Sequence, residues 1–527
     1  MNTTVKSPSI GIRIQHVLRL VFAFVLTFLC KLYYGEETKK IPPIKDEILK
    51  EPAFEVAKKI RNKETSSVEV LEACIRRIKD VNSALNCFVE ERFELAMKEA
   101  KEADDLVRSG NMTTEALEQQ KPLLGVPFTT KDCIGVKGLH QTSGVVLRKD
   151  FICPEDAPVI KLLRDKGAII IGLTNVPELC MWWETHNHIF GRTNNPYNTN
   201  RIVGGSSGGE GCLQAAAGSI FGVGSDIGGS IRMPAYFNGI FGHKPSQKIV
   251  SNEGEYPPAS TEVHDRMLGT GPLTRHASDL KPLLKIMAGE NVNKLNLDQE
   301  VDIGKVKIKY QYSLNALVTD PVDPEIIMAM NKVIEYFKVE HRINATEIKI
   351  KELEKSLPLW FATMTSPKSF GEFIMEDSSK TQIVKEFFKH AIGLSGNTLI
   401  GLFMAMADYN RLEIGGEKYN VYAKRRQELE DLFKDMLGDD GVFLLPTHPT
   451  AALYHNEPLA RPLNFGYTAI INCLGLPATN VPLGLNRDGL PIGIQVIANH
   501  DNDRLCLAVA EELDKAFGGW VEPQKTS

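Results

Sequence analysis

Two serines and one lysine stand in segments whose neighbours suit covalent chemistry. Lys131 lies near the end of Gly-Val-Pro-Phe-Thr-Thr-Lys-Asp (Gly125 to Asp132). Ser206 lies in Gly-Gly-Ser-Ser-Gly-Gly-Glu (Gly204 to Glu210), and Ser230 in Gly-Ser-Asp-Ile-Gly-Gly-Ser-Ile-Arg (Gly224 to Arg232). A serine hydroxyl is a weak nucleophile until a base takes its proton. A lysine can be that base if burial or a nearby positive charge lowers its pKa from about 10.4, so that part of it is neutral. Acyl transfer also needs N–H donors aimed at the oxyanion of the tetrahedral intermediate, in a dry site. The run Ile227, Gly228, Gly229, Ser230 supplies four successive backbone N–H groups, and its two glycines allow close approach. Ser207, Asp226 and Arg232 flank these segments. Asp226 and Arg232 either hold the loop and set the charge around Lys131 or form a plain structural ion pair.

Other uses of glycine-rich segments fit less well. Gly222-Val-Gly224 after an apolar run opens like a dinucleotide fingerprint, but the next glycine is Gly228 and no Gly-Lys-Ser/Thr follows for a P-loop. A lysine between Thr130 and Asp132 would, alone, be an ordinary solvated charge. With both serine segments present, the three motifs and their spacing resemble the amidase signature family of serine hydrolases. Leu179-Cys180-Met181-Trp182, the segments Gly191 to Tyr197 and Phe237 to Pro245, and Gly438 to Phe443 are similar to its membrane-anchored fatty-acid amide hydrolase branch. The resemblance runs from about Pro52 to Pro523. It implies a Lys131, Ser206, Ser230 triad in which neutral Lys131 deprotonates Ser206, Ser206 relays the demand, and Ser230 attacks the amide carbonyl. It also implies a cis peptide at Gly205-Ser206, no cofactor or metal, and a site at strand ends. A pseudoenzyme on the same fold, a silent lipid-binding protein, is the competing expectation.

Composition bounds the rest. With 527 residues, 43% hydrophobic and 24% charged, the chain can bury a large core. No linker, repeat or low-complexity tract interrupts it beyond Lys45, so one α/β unit over 41–527 is expected after an N-terminal segment, 1–40. A net charge of −5 with mixed signs argues against nucleic acid. Nine cysteines without a C-x-x-C pair argue against a disulfide scaffold or a zinc site, and read as buried apolar thiols.

Periodicity places the motifs. Ser66 and Glu69 form a capping box before a helix with Leu71, Cys74, Ile75, Ile78 and Val81 on its apolar face. Leu123 to Thr129 reads as a strand delivering Lys131, and Ala168 to Leu173 as a buried strand after a helix over 157–166. A helix over 208–217 should lead to a strand near 220–223. Asn486-Arg-Asp-Gly489 reads as a hairpin turn, and the last helix as 504–517. The family resemblance turns this into a large twisted mixed β-sheet covered by helices on both faces.

The N-terminus carries an apolar run. Leu20 to Cys30 has no charge but is too short to cross about 30 Å of hydrocarbon at 1.5 Å per residue. Val17 to Tyr34 reaches the lower limit if Arg19 and Lys31 snorkel. No small-residue cleavage site follows, so an uncleaved anchor helix is expected rather than a signal peptide. Lys6, Arg13 and Arg19 before it and Lys31, Lys39 and Lys40 after it give no orientation bias. Asn111 and Asn344 head glycosylation sequons that matter only if the body is luminal. By resemblance, Cys180, Met181 and Trp182 line an acyl channel, the substrate is a lipid amide, and the membrane is the endoplasmic reticulum or a related internal one; a homodimer is compatible. Two plainer readings compete. The aromatic pair Trp182-Trp183 is core, and Ile392, Leu394, Leu399, Leu402 and Phe403 belong to an ordinary buried helix pair. Small aryl or indole acetamides remain the alternative substrates.

Overall fold

A computed structural model describes residues 10–35 and 37–523, without the side chains of 10–15 and 410. Thirteen strands occur among the described residues: β1 Phe88–Glu91, β2 Pro127–Lys131, β3 Ile169–Thr174, β4 His186–Asn187, β5 Gly191–Arg192, β6 Phe221–Asp226, β7 Phe241–Lys244, β8 Gly269–Thr274, β9 Lys307–Tyr310, β10 Thr346–Glu347, β11 Gly441–Pro446, β12 Ala478–Leu485 and β13 Pro491–Ala498. Eleven of them form one mixed sheet in the order β1-β3-β2-β6-β8-β7-β12-β13-β11-β9-β10, while β4 and β5 pair separately. The pairs β2 with β3 and β2 with β6 are parallel, and β6 with β8 is antiparallel.

Helices cover the sheet on both faces, and the pleat shows why. Successive side chains of a strand point to opposite faces. In β11, Val442 and Leu444 enter one core cluster while Phe443 and Leu445 enter another. In β13, Ile494 and Val496 join the first, and Ile497 the second. Strands buried on both faces read as continuous apolar runs, as these do.

The predicted elements recur with shifted ends. The capping box forms as expected, with Ser66 accepting from the Glu69 N–H and Glu69 accepting from the Ser66 N–H. Its helix, Ser67–Leu85, buries Leu71, Cys74, Ile78 and Val81, and leaves Ile75 half-buried. The strand read from Leu123 begins only at Pro127, because Gly125 turns the chain at φ +76°. The helix read to 217 is Gly208–Ala215, and Ala217 has φ +58°.

The N-terminal helix is Ile10–Tyr34, of which His16–Tyr34 is long and apolar enough to cross a membrane. It does not stand clear of the body. Arg19 does not snorkel: it pairs with Asp320 at 2.8 Å and donates to the Thr319 carbonyl at 2.7 Å. Thr27 donates to Glu457 and accepts from Arg461 at 2.6 Å, and the Tyr34 ring stacks on Tyr454 at 5.6 Å. The opposite face leaves Leu18, Phe22, Phe24, Phe28 and Leu32 exposed. Lys6 and the Arg13 side chain, two of the charges weighed for orientation, lie outside what is described. The buried-pair reading of the segment after Phe387 is overturned as well. Helices Lys380–Ala391 and Leu399–Ala407 bury Leu402 but leave Phe388, Ile392, Leu394 and Phe403 more than half exposed.

Candidate active site

Parallel β2 and β6 bring the motifs together. β2 ends on Lys131, and β6 ends on Asp226, just before the Ile227 to Ser230 loop. Helix Gly208–Ala215 starts at the Ser206 segment and is clamped beneath the strands by buried Glu210. That carboxyl accepts from Thr129 of β2 and Thr174 of β3, each at 2.9 Å, and burial raises it to about 7. Glycine is required where the backbone closes up. A Cβ on Gly205 would lie 2.5 Å from the Trp182 carbonyl oxygen, and Gly209 and Gly222 are as tightly enclosed. The peptide Gly205-Ser206 is cis.

Lys131 is 1% exposed. Its Nζ donates to Ser206 Oγ at 2.9 Å and to Ser225 Oγ at 3.0 Å, and lies 3.4 Å from the Ser225 carbonyl oxygen. The Ser207 N–H donates to the Ser230 carbonyl at 3.1 Å, tying the two serine segments together. Among the described residues no hydrogen bond joins the Ser206 and Ser230 hydroxyls; such contacts often tighten only when substrate is bound. Burial works to lower the Lys131 pKa, as the sequence suggests, but Cys133, Cys180, Glu255 and Asp226 outweigh it and hold the ammonium above its ordinary value. The sequence reading named Asp226 as a group that sets the charge around Lys131 but missed Cys133, Cys180 and Glu255 in that role, which come from three separate segments.

The Ile227 to Ser230 loop is fastened from both sides. Asp226 accepts from the N–H groups of Gly229 at 2.6 Å and Ile231 at 3.1 Å, and Asn472 donates to its carbonyl oxygen at 2.7 Å. Thr468 Oγ1 donates to the Gly228 carbonyl at 2.7 Å, and Trp360 Nε1 to the Ile227 carbonyl at 2.9 Å. Of the four donors read from the sequence, Gly229 is therefore engaged inward, leaving Ile227, Gly228 and Ser230 without partners among the described residues. Asp226 and Arg232 form a fully buried ion pair at 3.0 Å. Burial would raise the Asp226 carboxyl, but Arg232, with help from Lys244, holds it well below the usual carboxylate range. Arg232 also donates to Gln495, Asn472 and the Thr468 carbonyl, so the pair fixes the loop rather than facing the opening. Ser207 Oγ donates to the Ser225 carbonyl at 3.3 Å, also inside the wall.

Ser230 opens onto two joined apolar hollows. A cavity of about 430 Å³ carries Ser206, Ser230, Cys133, Glu255 and Tyr256 in its wall, and a smaller one of about 140 Å³ carries Trp182, Met233, Leu463 and Phe465. They meet at Cys180, Met181, Ile227, Trp360, Phe361 and Met404. Cys180, Met181 and Trp182 thus border the opening over Ser230. Trp183 is 2% exposed and packs in the core against Phe237, touching the hollow only at its edge. Ser225, Glu255, Trp360 and Thr468 were not legible as site residues, because each reaches the site only through sheet pairing or a remote helix.

A buried lysine bonded to a serine, a second serine beside N–H groups without partners among the described residues, and an apolar hollow thus lie together in one site. The chain belongs to the amidase family, whose pattern matches residues 69–507. It is 42% identical to fatty-acid amide hydrolase 2-A of Danio rerio over 526 residues, covering 98% of each chain. It is also 42% identical to fatty-acid amide hydrolase 2 of Homo sapiens over 532 residues, covering 98% of this chain and all of the human one. A solved structure of a fatty acid amide hydrolase shares the fold, with a TM-score of 0.71 at 23% identity, over 91% of this chain and 87% of that one.

Proposed function

We propose that the chain hydrolyses long-chain fatty-acid amides at a membrane through an acyl-enzyme on Ser230. The supporting observation is the conjunction of the 2.9 Å bond from Lys131 to Ser206 with Ser230 opening onto an apolar hollow. Once Lys131 has shed its proton to solvent, it draws one from Ser206, which draws one from Ser230, and Ser230 Oγ attacks the amide carbonyl. The oxyanion meets the N–H groups of Ile227, Gly228 and Ser230. Lys131 returns its proton through Ser206 to the amine as the C–N bond breaks, and water then cleaves the ester. Residues 41–527 act as one catalytic unit in this reading. The outer face of helix Ile10–Tyr34 and the exposed side chains of Lys380–Ala407 attach it to lipid.

A fluorophosphonate should label Ser230, read by peptide mass spectrometry. A panel of long-chain amides, short-chain amides and arylacetamides then separates the substrate classes. An adduct on Ser206 or Ser207 with Ser230 unmodified rejects the mechanism; preferential turnover of arylacetamides rejects the lipid reading alone.

A further inference from the structure

One nucleophile in the wall of the hollow has no part in the reaction above. Cys180 is half-buried, whereas seven of the other eight free cysteines are buried; the remaining one, Cys30, is on the N-terminal helix. Its exposed surface faces the two hollows, where it is a shared wall residue with Ser230. The backbone is bent to put it there. Leu179 and Cys180 both hold left-handed φ, +51° and +56°, a conformation that non-glycine residues rarely adopt and that gathers at functional sites. Leu179 is buried and its N–H donates to the Ser143 carbonyl at 2.8 Å, so the strained pair is held in place. The Cys180 thiol lies 3.4 Å from Ser143 Oγ, and Ser143 donates that hydroxyl to the Tyr256 carbonyl at 2.8 Å.

Around this thiol stand the Cys133 thiol, Lys131, Ser206 and, farther off, the Glu255 and Asp132 carboxyls. Burial works against a thiolate here, but Cys133, the Lys131 ammonium and Ser206 outweigh it and hold the Cys180 thiol below its ordinary range. Cys133 is 2% exposed, and burial pushes its thiol well above the ordinary range. A thiol beside an ammonium where two apolar hollows meet is the arrangement of a reactive cysteine.

We infer that Cys180 is a covalent modification site, alkylated by long-chain α,β-unsaturated carbonyl compounds that the acyl hollow delivers to it. This rests on the acyl reading of the hollow. The Cys180 sulfur forms a bond to the β-carbon, the carbon–carbon π bond breaks, and the resulting enolate takes a proton at its α-carbon from the Lys131 ammonium. Nothing leaves, and no oxidant is needed. The adduct fills the opening over Ser230 and shuts the hydrolase off.

The test uses the full-length protein at pH 7, treated in parallel with N-ethylmaleimide and N-dodecylmaleimide, with adducts at Cys180, Cys133 and Cys30 followed by peptide mass spectrometry. Cys30, beside the exposed apolar face of the N-terminal helix, controls for partition of the long reagent into detergent. Normalised to Cys30, Cys180 should react at least about tenfold faster with the dodecyl reagent than with the ethyl one. A long-chain fluorophosphonate on Ser230 should protect Cys180 and leave Cys30 reactive. Labelling of Cys30 with Cys180 untouched overturns the inference, as does preferential alkylation of Cys133. Fatty-amide hydrolysis measured on the same samples separates the two claims. Turnover that climbs with chain length while Cys180 stays unmodified overturns this inference alone. Equal maleimide rates at Cys180 together with chain-independent turnover overturn delivery by the hollow and the acyl reading with it.

Discussion

In the proposed reaction Lys131 has two tasks that a substitution can separate. An amide has a poor amine leaving group that must be protonated, whereas an ester does not. Lys131→Ala should therefore lose more amidase than esterase activity, by about tenfold or more, with equal losses refuting the return of the proton. The ammonium is the inactive form and its pKa is held above the ordinary value of about 10.4, so amidase activity should keep rising with pH to at least about pH 10. Part of that elevation comes from Cys180, so Cys180→Ala should move the rise to lower pH; an unmoved profile would exclude the thiol as a counter-ion. Gly229 offers a second residue-scale test. Its φ is +124°, and a Cβ there would lie 2.1 Å from Thr468 Oγ1, the atom that holds the Gly228 carbonyl. Gly229→Ala should cost about 1–3 kcal/mol in unfolding free energy and displace the oxyanion donors, lowering kcat more than it raises KM.

Elements explain what could be read in advance and what could not. Ser206 and Ser230 stood out because glycine-rich segments mark places where backbone must come close, whereas Lys131 was legible only through the resemblance of the three motifs to the family. Ser225 and Glu255 carried none: one precedes Asp226 in β6 as an ordinary strand serine, and the other comes from a loop whose partner is Thr270 of β8 at 2.6 Å. The N-terminal helix was legible as apolar but not as docked, since Arg19 reads as a snorkelling charge until Asp320 is seen beside it. Docking also limits what removal of 1–40 should do. Asp320 keeps Arg461 at 2.6 Å and Asn464 at 2.9 Å, and Glu457 keeps Arg461 at 3.1 Å, so the charges uncovered remain paired and gain water. The truncated protein should show weakened membrane retention in a sedimentation assay, with some binding left through the exposed side chains of 380–407, while turning over a soluble amide within about threefold of the full chain, a change of less than about 1 kcal/mol. Arg461→Leu should cost stability instead, about 3 kcal/mol, because it leaves the fully buried Glu457 carboxylate without its cation while Asp320 keeps Arg19 at 2.8 Å. Loss of soluble-amide turnover on truncation would mean that the helix supports the Pro462 to Phe465 wall of the hollow.

At the scale of the molecule, the apolar hollow and the exposed apolar side chains belong to one arrangement. Phe361 and Phe403 are about half exposed, while Met404, next to Phe403 in the helix Leu399–Ala407, borders both hollows over Ser230. A substrate chain leaving lipid there passes from one apolar environment to another and need not shed its tail into water. For an amide presented as monomers in water, each methylene that the hollow takes up contributes about 0.8 kcal/mol, roughly a fourfold gain per carbon while space remains. Along a series of fatty amides with a common amine, kcat/KM should therefore climb steeply and then level off once the hollow is full, with acyl length mattering more than the amine. Trp182→Ala enlarges the wall beside Ser230 and should move the plateau to longer chains, while fluorophosphonate labelling of Ser230 persists. Trp183→Ala should act differently: its indole is packed in the core and donates to the Pro462 carbonyl at 3.3 Å, so its loss lowers stability before it changes chain preference. A flat length series would remove the lipid reading and leave the Lys131, Ser206, Ser230 chemistry serving a smaller amide. A plateau that ignored Trp182 would instead put the acyl tail in the larger cavity, toward Tyr256 and Phe373.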